Sequence, residues 1–455
     1  MTSSDQTSDQ TSERSSIRQV VAASFIGTTI EWYDFFLYGT AAALVFNKLF
    51  FPKVEPSSGT LLALATYGVG FAARPLGGII FGHFGDRIGR KTMLVLSLLI
   101  MGIATFLIGL MPTYDAIGIW APVILVALRI AQGIGVGGEW GGAVLMSVEH
   151  APPGRRGFFG SWPQMGVPAG LFLSTVVFLI VQETTSDEAF LSWGWRIPFL
   201  LSAVLIAVGL FVRLRLYESP AFQRVKDTGT EAPMPIMDVL RKYPREVLLA
   251  MGMRLAENGT FYILTVYVLV YGNEELELPK STMLWGVVIA ALIGLVAIPW
   301  YGSLSDRVGR RPLYLGGALF SLVFAFPFFL LLNTKSALLI WVAIVLGVNV
   351  GHDLMYGPQA AYFAELFGTR VRYSGASLGY QLASVFAGGF APLIAAALLK
   401  WWGWPAVAAY MALMAAITVV ATWFTSETYQ REIDADDHRE QELVSGKEIT
   451  PEARA

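Results

Sequence analysis

Seven stretches of this chain run for 18 residues or more without one Asp, Glu, Lys or Arg: 56–73, 92–114, 157–182, 281–305, 312–334, 373–399 and 401–426. A membrane-crossing helix needs about 20 mostly apolar residues. The segment 197–212, between Arg196 and Arg213, is slightly shorter. Four more apolar segments, about 19–46, 119–146, 247–271 and 338–362, are interrupted by ionisable residues. Together they make twelve spans. A soluble fold has no use for so many long apolar helices in series. Strands of a membrane barrel would alternate over about ten residues, and that pattern is absent. Composition agrees. Charged residues are 15% of the chain, against about 25% in soluble proteins. The 46 glycines suit helices that approach closely in lipid. The expected fold class is therefore an all-α membrane protein with 12 transmembrane helices.

The basic residues orient the spans. With both termini on the cytoplasmic side, 23 of the 32 Lys and Arg fall in inside segments, six in outside loops, and three within the membrane. Those three are Arg74, Arg129 and Arg254.

The loop Gly82-His-Phe-Gly-Asp-Arg-Ile-Gly-Arg-Lys91 recurs 220 residues later as Gly302-Ser-Leu-Ser-Asp-Arg-Val-Gly-Arg-Arg311. A looser echo sets Glu149 with Arg155 and Arg156 against Glu365 with Arg370 and Arg372. Two pseudo-symmetric six-helix bundles are expected, at 19–212 and 246–426. A polar cytoplasmic linker at 213–245 joins them. Residues 1–18 form a disordered N-tail in this reading, without the features of a secretory signal. Residues 427–455 form an acidic C-tail, also expected to be disordered. Repeats of this kind suit a transporter, because alternating access rocks one repeat against the other.

The charged spans are the first, fourth, seventh and tenth. A charge at a helix centre costs at least about 2.5–3.5 kcal/mol on insertion scales, so these four spans should line a shared polar cavity. In the first, Glu31 and Asp34 sit on one helical face with Tyr38. Two close carboxylates resist ionising together, so one can carry a proton near neutral pH. In the fourth, Arg129 neighbours Gln132, with Glu139 nearer the cytoplasmic end. The planar fork of Arg129 matches a carboxylate. Its two readings are an anionic substrate or a bridge to Asp34 or Glu31. In the seventh, Arg254, Glu257, Asn258, Tyr262 and Thr265 make a polar face. Arg254 is either a substrate ligand or neutralised by Glu257. In the tenth, Asn349, His352, Asp353, Tyr356 and Gln359 share a stripe. The ordinary His value of about 6.5 suits a proton carrier, and a hydrogen-bonded structural role is the other reading. Trp162, Gln164, Tyr380, Gln381 and Ser384 are polar or aromatic positions in the fifth and eleventh spans. Arg74, about eight residues from the cytoplasmic loop, reads as a gate or structural residue.

Other chemistries find little support. Gly133-Ile-Gly-Val-Gly-Gly138 lies inside a span with no preceding strand, which argues against a dinucleotide loop. With no cysteine and four histidines, no metal or thiol site is expected. No nucleophile–base pair suggests an enzyme. A net charge of −2 gives no case for nucleic acid.

The repeated Gly-x-x-x-Asp-Arg-x-Gly-Arg-Lys/Arg loops resemble the signature of the major facilitator superfamily. Glu31-Trp-Tyr-Asp-Phe-Phe-Leu-Tyr-Gly39, Arg74-Pro-Leu-Gly-Gly78, Gln132-Gly-Ile-Gly-Val-Gly-Gly-Glu-Trp-Gly-Gly142 and Ser192-Trp-Gly-Trp-Arg-Ile-Pro-Phe199 resemble its metabolite:proton symporter family. The resemblance covers about residues 19–425. His352-Asp353 with Tyr380-Gln381 is more similar to the shikimate branch than to the osmolyte branch. It implies proton-coupled uptake of a small organic acid by a monomer in a bacterial inner membrane. No cofactor is implied, and the partners are substrate, proton and lipid. Substrate-binding candidates are Arg129, Arg254, Tyr33, Gln132, Asn258, Tyr262, Gln164, Gln359, Tyr380 and Gln381. Proton-coupling candidates are Asp34, Glu31, Asp353, His352 and Glu257. By the same resemblance Asp86, Arg87, Arg90, Asp306, Arg307, Arg310, Glu149 and Glu365 form a cytoplasmic latch. Proline/betaine symport is the first alternative. Antiport and a non-transporting receptor follow.

Overall fold

The computed structural model describes residues 3–88, 90–137, 154–214, 243–367 and 379–430, with isolated positions at 144, 147, 148, 151, 152 and 241. The described part is helical. We number its twelve principal helices α1 Ser3–Leu44, α2 Pro56–Ile88, α3 Arg90–Leu110, α4 Trp120–Val136, α5 Arg156–Thr184, α6 Asp187–Val212, α7 Pro244–Tyr262, α8 Lys280–Val308, α9 Arg310–Asn333, α10 Ala337–Leu366, α11 Gly379–Trp402 and α12 Trp404–Trp423. Eight of them are long and apolar enough to cross a membrane. The helices α3 and α4 contain shorter apolar stretches. Charges inside α1 and α7 explain why those two fall short by composition: Glu31 and Asp34 in one, Arg254 and Glu257 in the other.

Solvent and core are inverted relative to a soluble protein. Val296 and Val323 on the outside are 73% and 74% exposed, while Arg74, Arg129 and Arg254 are at most 2% exposed. An apolar exterior with charges inside is what lipid demands.

Packing follows the expected repeat. Among the first six helices, α1 lies on α5, α2 on α4, and α3 on both α4 and α6. Among the last six, α8 and α9 lie on α10, while α7 and α9 lie on α12. The halves meet through α5 against α8 and α10, α2 against α11, and α1 against the continuation of α7. Gly170 of α5 permits the α1 contact, because a Cβ there would come within 2.6 Å of the Tyr33 amide.

Three helices loosen into π turns beside buried polar side chains: Ile263–Tyr267 after α7, Leu346–His352 within α10 and Ser384–Gly389 within α11. Such turns place side chains that a regular helix would turn away.

Two boundaries differ from the sequence expectation. The helix α1 begins at Ser3, within the stretch expected to be disordered. No Gly or Pro interrupts it before Gly27, and Asp5 suits a helix N-terminus. The chain after α12 is held as far as Thr428. The Glu427 carboxylate accepts from the Arg310 and Arg311 amides at 2.9 and 3.0 Å, capping α9, and Thr428 Oγ1 donates to Glu365 at 2.7 Å.

Candidate functional site

Buried polar side chains from both halves converge on the middle of the molecule, and the two halves treat their charges differently. In the N-terminal half, Arg129 on α4 is fully buried. Its Nη1 donates to Gln132 Oε1 at 2.9 Å, but Nε and Nη2 have no hydrogen-bond partner. Its guanidinium carbon stands over Phe35, Tyr38 and Tyr67, at 4.3, 4.2 and 5.0 Å from the ring centroids. Gly70 on α2 makes the room: a Cβ there would meet Arg129 Nε at 2.5 Å. Asp34 faces the same region, and Arg129 acts on it electrostatically. Neither Asp34 carboxylate oxygen has a hydrogen-bond partner of good geometry. The nearby Thr105 hydroxyl instead donates to the Met101 carbonyl and accepts from Gln132.

Arg74 joins this group. Its guanidinium stands over Phe35 and Phe71 at 4.2 Å and over Trp32 at 5.3 Å, with Nε and Nη2 unpartnered. Glu31 lies within electrostatic reach of it. Long helical side chains lean back toward the helix N-terminus. That direction carries Arg74 away from the loop that follows α2 and into the chamber. The rings of Tyr67 and Phe71 close on Tyr262 of α7 at 6.0 and 5.2 Å.

In the C-terminal half the charges answer one another. Arg254 Nη1 meets Glu257 Oε2 at 2.6 Å and Gln359 Oε1 at 3.0 Å, and Nε donates to Ser384 at 3.0 Å. Its face lies on Tyr380, 3.2 Å from the ring centroid. Glu257 also accepts from Gln359 at 2.8 Å and faces His352 Nε2 at 3.3 Å. His352 Nδ1 meets Asp353 Oδ1 at 2.8 Å, while Asn349 donates to Asp353 Oδ2 at 2.7 Å. Phe261 and Tyr356 pack against the His352 ring, at 4.2 and 4.8 Å between centroids. The result is a continuous buried chain, Arg254–Glu257–His352–Asp353–Asn349.

The remaining expected ligands are spread around the chamber. Gln164 donates to the Tyr356 carbonyl at 3.3 Å and Gln381 to the Gly137 carbonyl at 3.2 Å, and both bonds cross between halves. Asn258 Oδ1 has no partner. Tyr33 turns elsewhere: its hydroxyl donates to the Pro198 carbonyl at 2.7 Å, inside the N-terminal half. Sequence reasoning read Arg74 as a gate or structural residue and left out the rings Phe35, Tyr67 and Phe71. The signal for Arg74 was there, since only three basic residues lie within spans.

Contacts between the halves lie on both faces of the molecule. On the face carrying the basic loops, Asp306 accepts from the Gly157 and Phe158 amides at 2.8 and 2.9 Å, capping α5 from across the halves. Arg310 meets Asp306 at 2.7 Å and Glu365 at 3.2 Å. Arg307 is exposed. Asp86, Arg87, Arg90 and Glu149, the matching set in the other half, lie outside the residues whose side chains are described. On the opposite face Lys400 meets Glu55 at 2.9 Å, and Thr60 donates to Glu274 at 2.6 Å. Both contacts cross between halves. Hydrogen bonds from Ser57 and from Lys400 hold the Glu55 carboxyl down to about 2.

The comparisons with known proteins fit this architecture. The Major Facilitator Superfamily model matches residues 24–387. This chain belongs to the major facilitator superfamily. The shikimate transporter of Escherichia coli K12 is 46% identical over 398 residues, covering 87% of this chain and 91% of the relative. The proline/betaine transporter of the same organism is 35% identical over 447 residues, covering 96% of this chain and 89% of the relative. Among solved structures, the proton:xylose symporter XylE superimposes with a TM-score of 0.73 at 18% identity, covering 94% of this chain and 99% of that one. Within the superfamily the chain belongs to the metabolite:proton symporter family whose motifs it carries. It is a multi-pass membrane transporter of a small molecule, not an enzyme.

Proposed function

We propose that this transporter takes up a small organic acid together with a proton by alternating access. The observation that carries the proposal is the pairing of two incomplete groups: Arg129, with two buried N–H-bearing nitrogens unpartnered, and Asp34, with both oxygens unpartnered. The charges decide how such a pair behaves. With Asp34 ionised, its charge offsets that of Arg129, and the region has no net attraction for an anion. With Asp34 protonated, Arg129 is uncompensated in a low-dielectric pocket and binds a carboxylate, which the guanidinium fork matches. Anion and proton therefore load together and leave together. The proton gradient supplies the energy, and no cofactor is needed. The basic loops face the cytoplasm in this reading, as the positive-inside rule requires, and the membrane is the bacterial inner membrane.

The shikimate relative supports an acid as substrate. A zwitterion such as proline or betaine is the second reading. It is favoured by the 35% identical relative, and it too carries a carboxylate for Arg129.

The test is uptake of labelled shikimate, quinate, α-ketoglutarate, citrate, proline and betaine into proteoliposomes, with an inward proton gradient and again with a protonophore. One acid should accumulate, and the protonophore should collapse its accumulation. Asp34→Asn should hold Arg129 uncompensated, so exchange across the membrane persists while gradient-driven accumulation is lost. Accumulation that survives the protonophore, or full uphill uptake by Asp34→Asn, overturns the coupling.

A further inference from the structure

One cation in the chamber has no part in the coupling scheme. Arg74 is 2% exposed, and its Nε and Nη2 lack partners. A buried donor left unsatisfied is destabilising. Aromatic faces offset part of that cost for the charge, but they accept no hydrogen bond of ordinary strength. These donors therefore call for an acceptor that arrives with the ligand.

The position of Arg74 relative to Arg129 narrows what that acceptor is. The guanidinium carbon of Arg74 lies 4.2 Å from the Phe35 ring centroid, and that of Arg129 lies 4.3 Å from the same centroid. The two carbons are thus at most 8.5 Å apart, the sum of those distances. One small molecule can reach both.

Charge narrows it further. Arg74 already has Glu31 within electrostatic reach. Protonation of Asp34 frees one positive charge, at Arg129, and one carboxylate answers it. A second carboxylate on Arg74 would bring a negative charge with nothing to balance it in a buried site. A hydroxyl oxygen accepts from Arg74 at no such cost.

We propose that Arg74 is a second substrate-binding residue, reading a hydroxyl group on a monocarboxylic acid whose carboxylate lies on Arg129. This rests on the transport reading above and extends it to a substrate class, the hydroxylated monocarboxylates. A site built to donate to a substrate oxygen rejects the analogue lacking it, because the donors are then stranded. The same geometry makes Arg74 a determinant of specificity rather than of coupling.

The experiment measures ligand binding to the purified full chain in detergent, without any gradient, by ligand-induced thermal stabilisation. The probes are matched pairs: shikimate against cyclohex-1-ene-1-carboxylate, and quinate against cyclohexanecarboxylate. The dicarboxylates succinate and α-ketoglutarate complete the set. The hydroxylated member of a pair should bind about tenfold or more tighter, the factor that about 1.4 kcal/mol produces. In Arg74→Gln that preference should fall to about threefold or less, through weaker binding of the hydroxylated acid, with its deoxy partner little changed. Arg74→Lys keeps the charge beside Glu31 but lacks the planar fork. If Arg74→Gln does not fold, Arg74→Lys carries the same readout with a smaller loss of preference.

Four results overturn the proposal: no hydroxylated acid preferred over its deoxy partner, both members weakened equally, a preference untouched by either variant, or tightest binding by a dicarboxylate. Because binding is read without a gradient, failure of proton coupling in proteoliposomes leaves this comparison intact. The converse also holds.

Discussion

The two halves share a fold and a loop motif, yet they handle buried charge in opposite ways. In the C-terminal half every buried ionisable group of the Arg254–Glu257–His352–Asp353 chain meets another at 3.3 Å or less. In the N-terminal half Arg129, Arg74 and Asp34 all keep polar atoms without partners. A satisfied network rigidifies, and a half-satisfied one is costly unless something completes it. The pseudo-symmetry of the fold thus does not extend to its chemistry. In one half the buried charges answer one another. In the other, under the function proposed above, proton and substrate answer them.

The largest expected effect separates the halves directly. Arg254→Gln removes one partner of a buried pair, which costs about 3–5 kcal/mol, although a proton on His352 offsets part of it. A clear fall in Tm in detergent is expected. Arg129→Gln removes a buried charge with two of its three guanidinium nitrogens unpartnered, so Tm should hold or rise. Transport should instead fall about 100-fold, as loss of about 3 kcal/mol of carboxylate binding requires. If the two variants lose similar stability, the contrast between halves is wrong.

How much of this was legible without coordinates follows from the same physics. The spans were legible because lipid demands long apolar runs, and the buried charges stood out because they break those runs. The pair Arg254 and Glu257 was legible from its i,i+3 spacing, whereas Asp306 stood out only as part of the repeated loop and proves to sit in the last turn of α8, capping α5. Phe35, Tyr67 and Phe71 were not legible. Aromatic residues are common in membrane helices, and only the crossing of α1, α2 and α4 turns these three toward two arginines. Arg74 was counted along the helix toward the loop, whereas its side chain runs back the other way. Glu427 was hidden because a capping contact to α9, 117 positions away, leaves no local pattern.

A smaller effect tests the tie on the basic face. The Asp306 carboxylate caps α5 from the other half, where the helix dipole favours an anion by about 0.3–1 kcal/mol and up to about 2 when partly buried. Asp306→Asn keeps the shape and loses the charge on both α5 and Arg310. The balance between access states should shift several-fold toward opening on that face. The chain has no cysteine, so one introduced at the buried Ser161, against Gly302 under the tie, reports the opening as faster labelling. Unchanged labelling would mean that Asp306 anchors α5 without holding the halves together.

The smallest effect belongs to the opposite face, where the tie is exposed to water. Lys400 and Glu55 are 32% and 63% exposed, and exposed ion pairs contribute little to stability. Glu55→Gln should raise labelling of a cysteine placed at Leu64, one turn below Thr60 on α2, by less than about twofold. The pH dependence carries the sharper information. Glu55 is held at about 2 in the folded chain, against an ordinary value of 4.5. A depressed carboxyl contributes its stabilisation above the ordinary value and loses it as pH falls through the folded one. The difference between wild type and Glu55→Gln should therefore be constant from pH 7 down to about 5 and shrink only below the ordinary value of 4.5. High salt should erase the difference, since the Debye length falls to about 3 Å at 1 M. A difference that vanishes already between pH 7 and 6 would assign the tie on this face to Glu274 and Thr60 instead of Glu55.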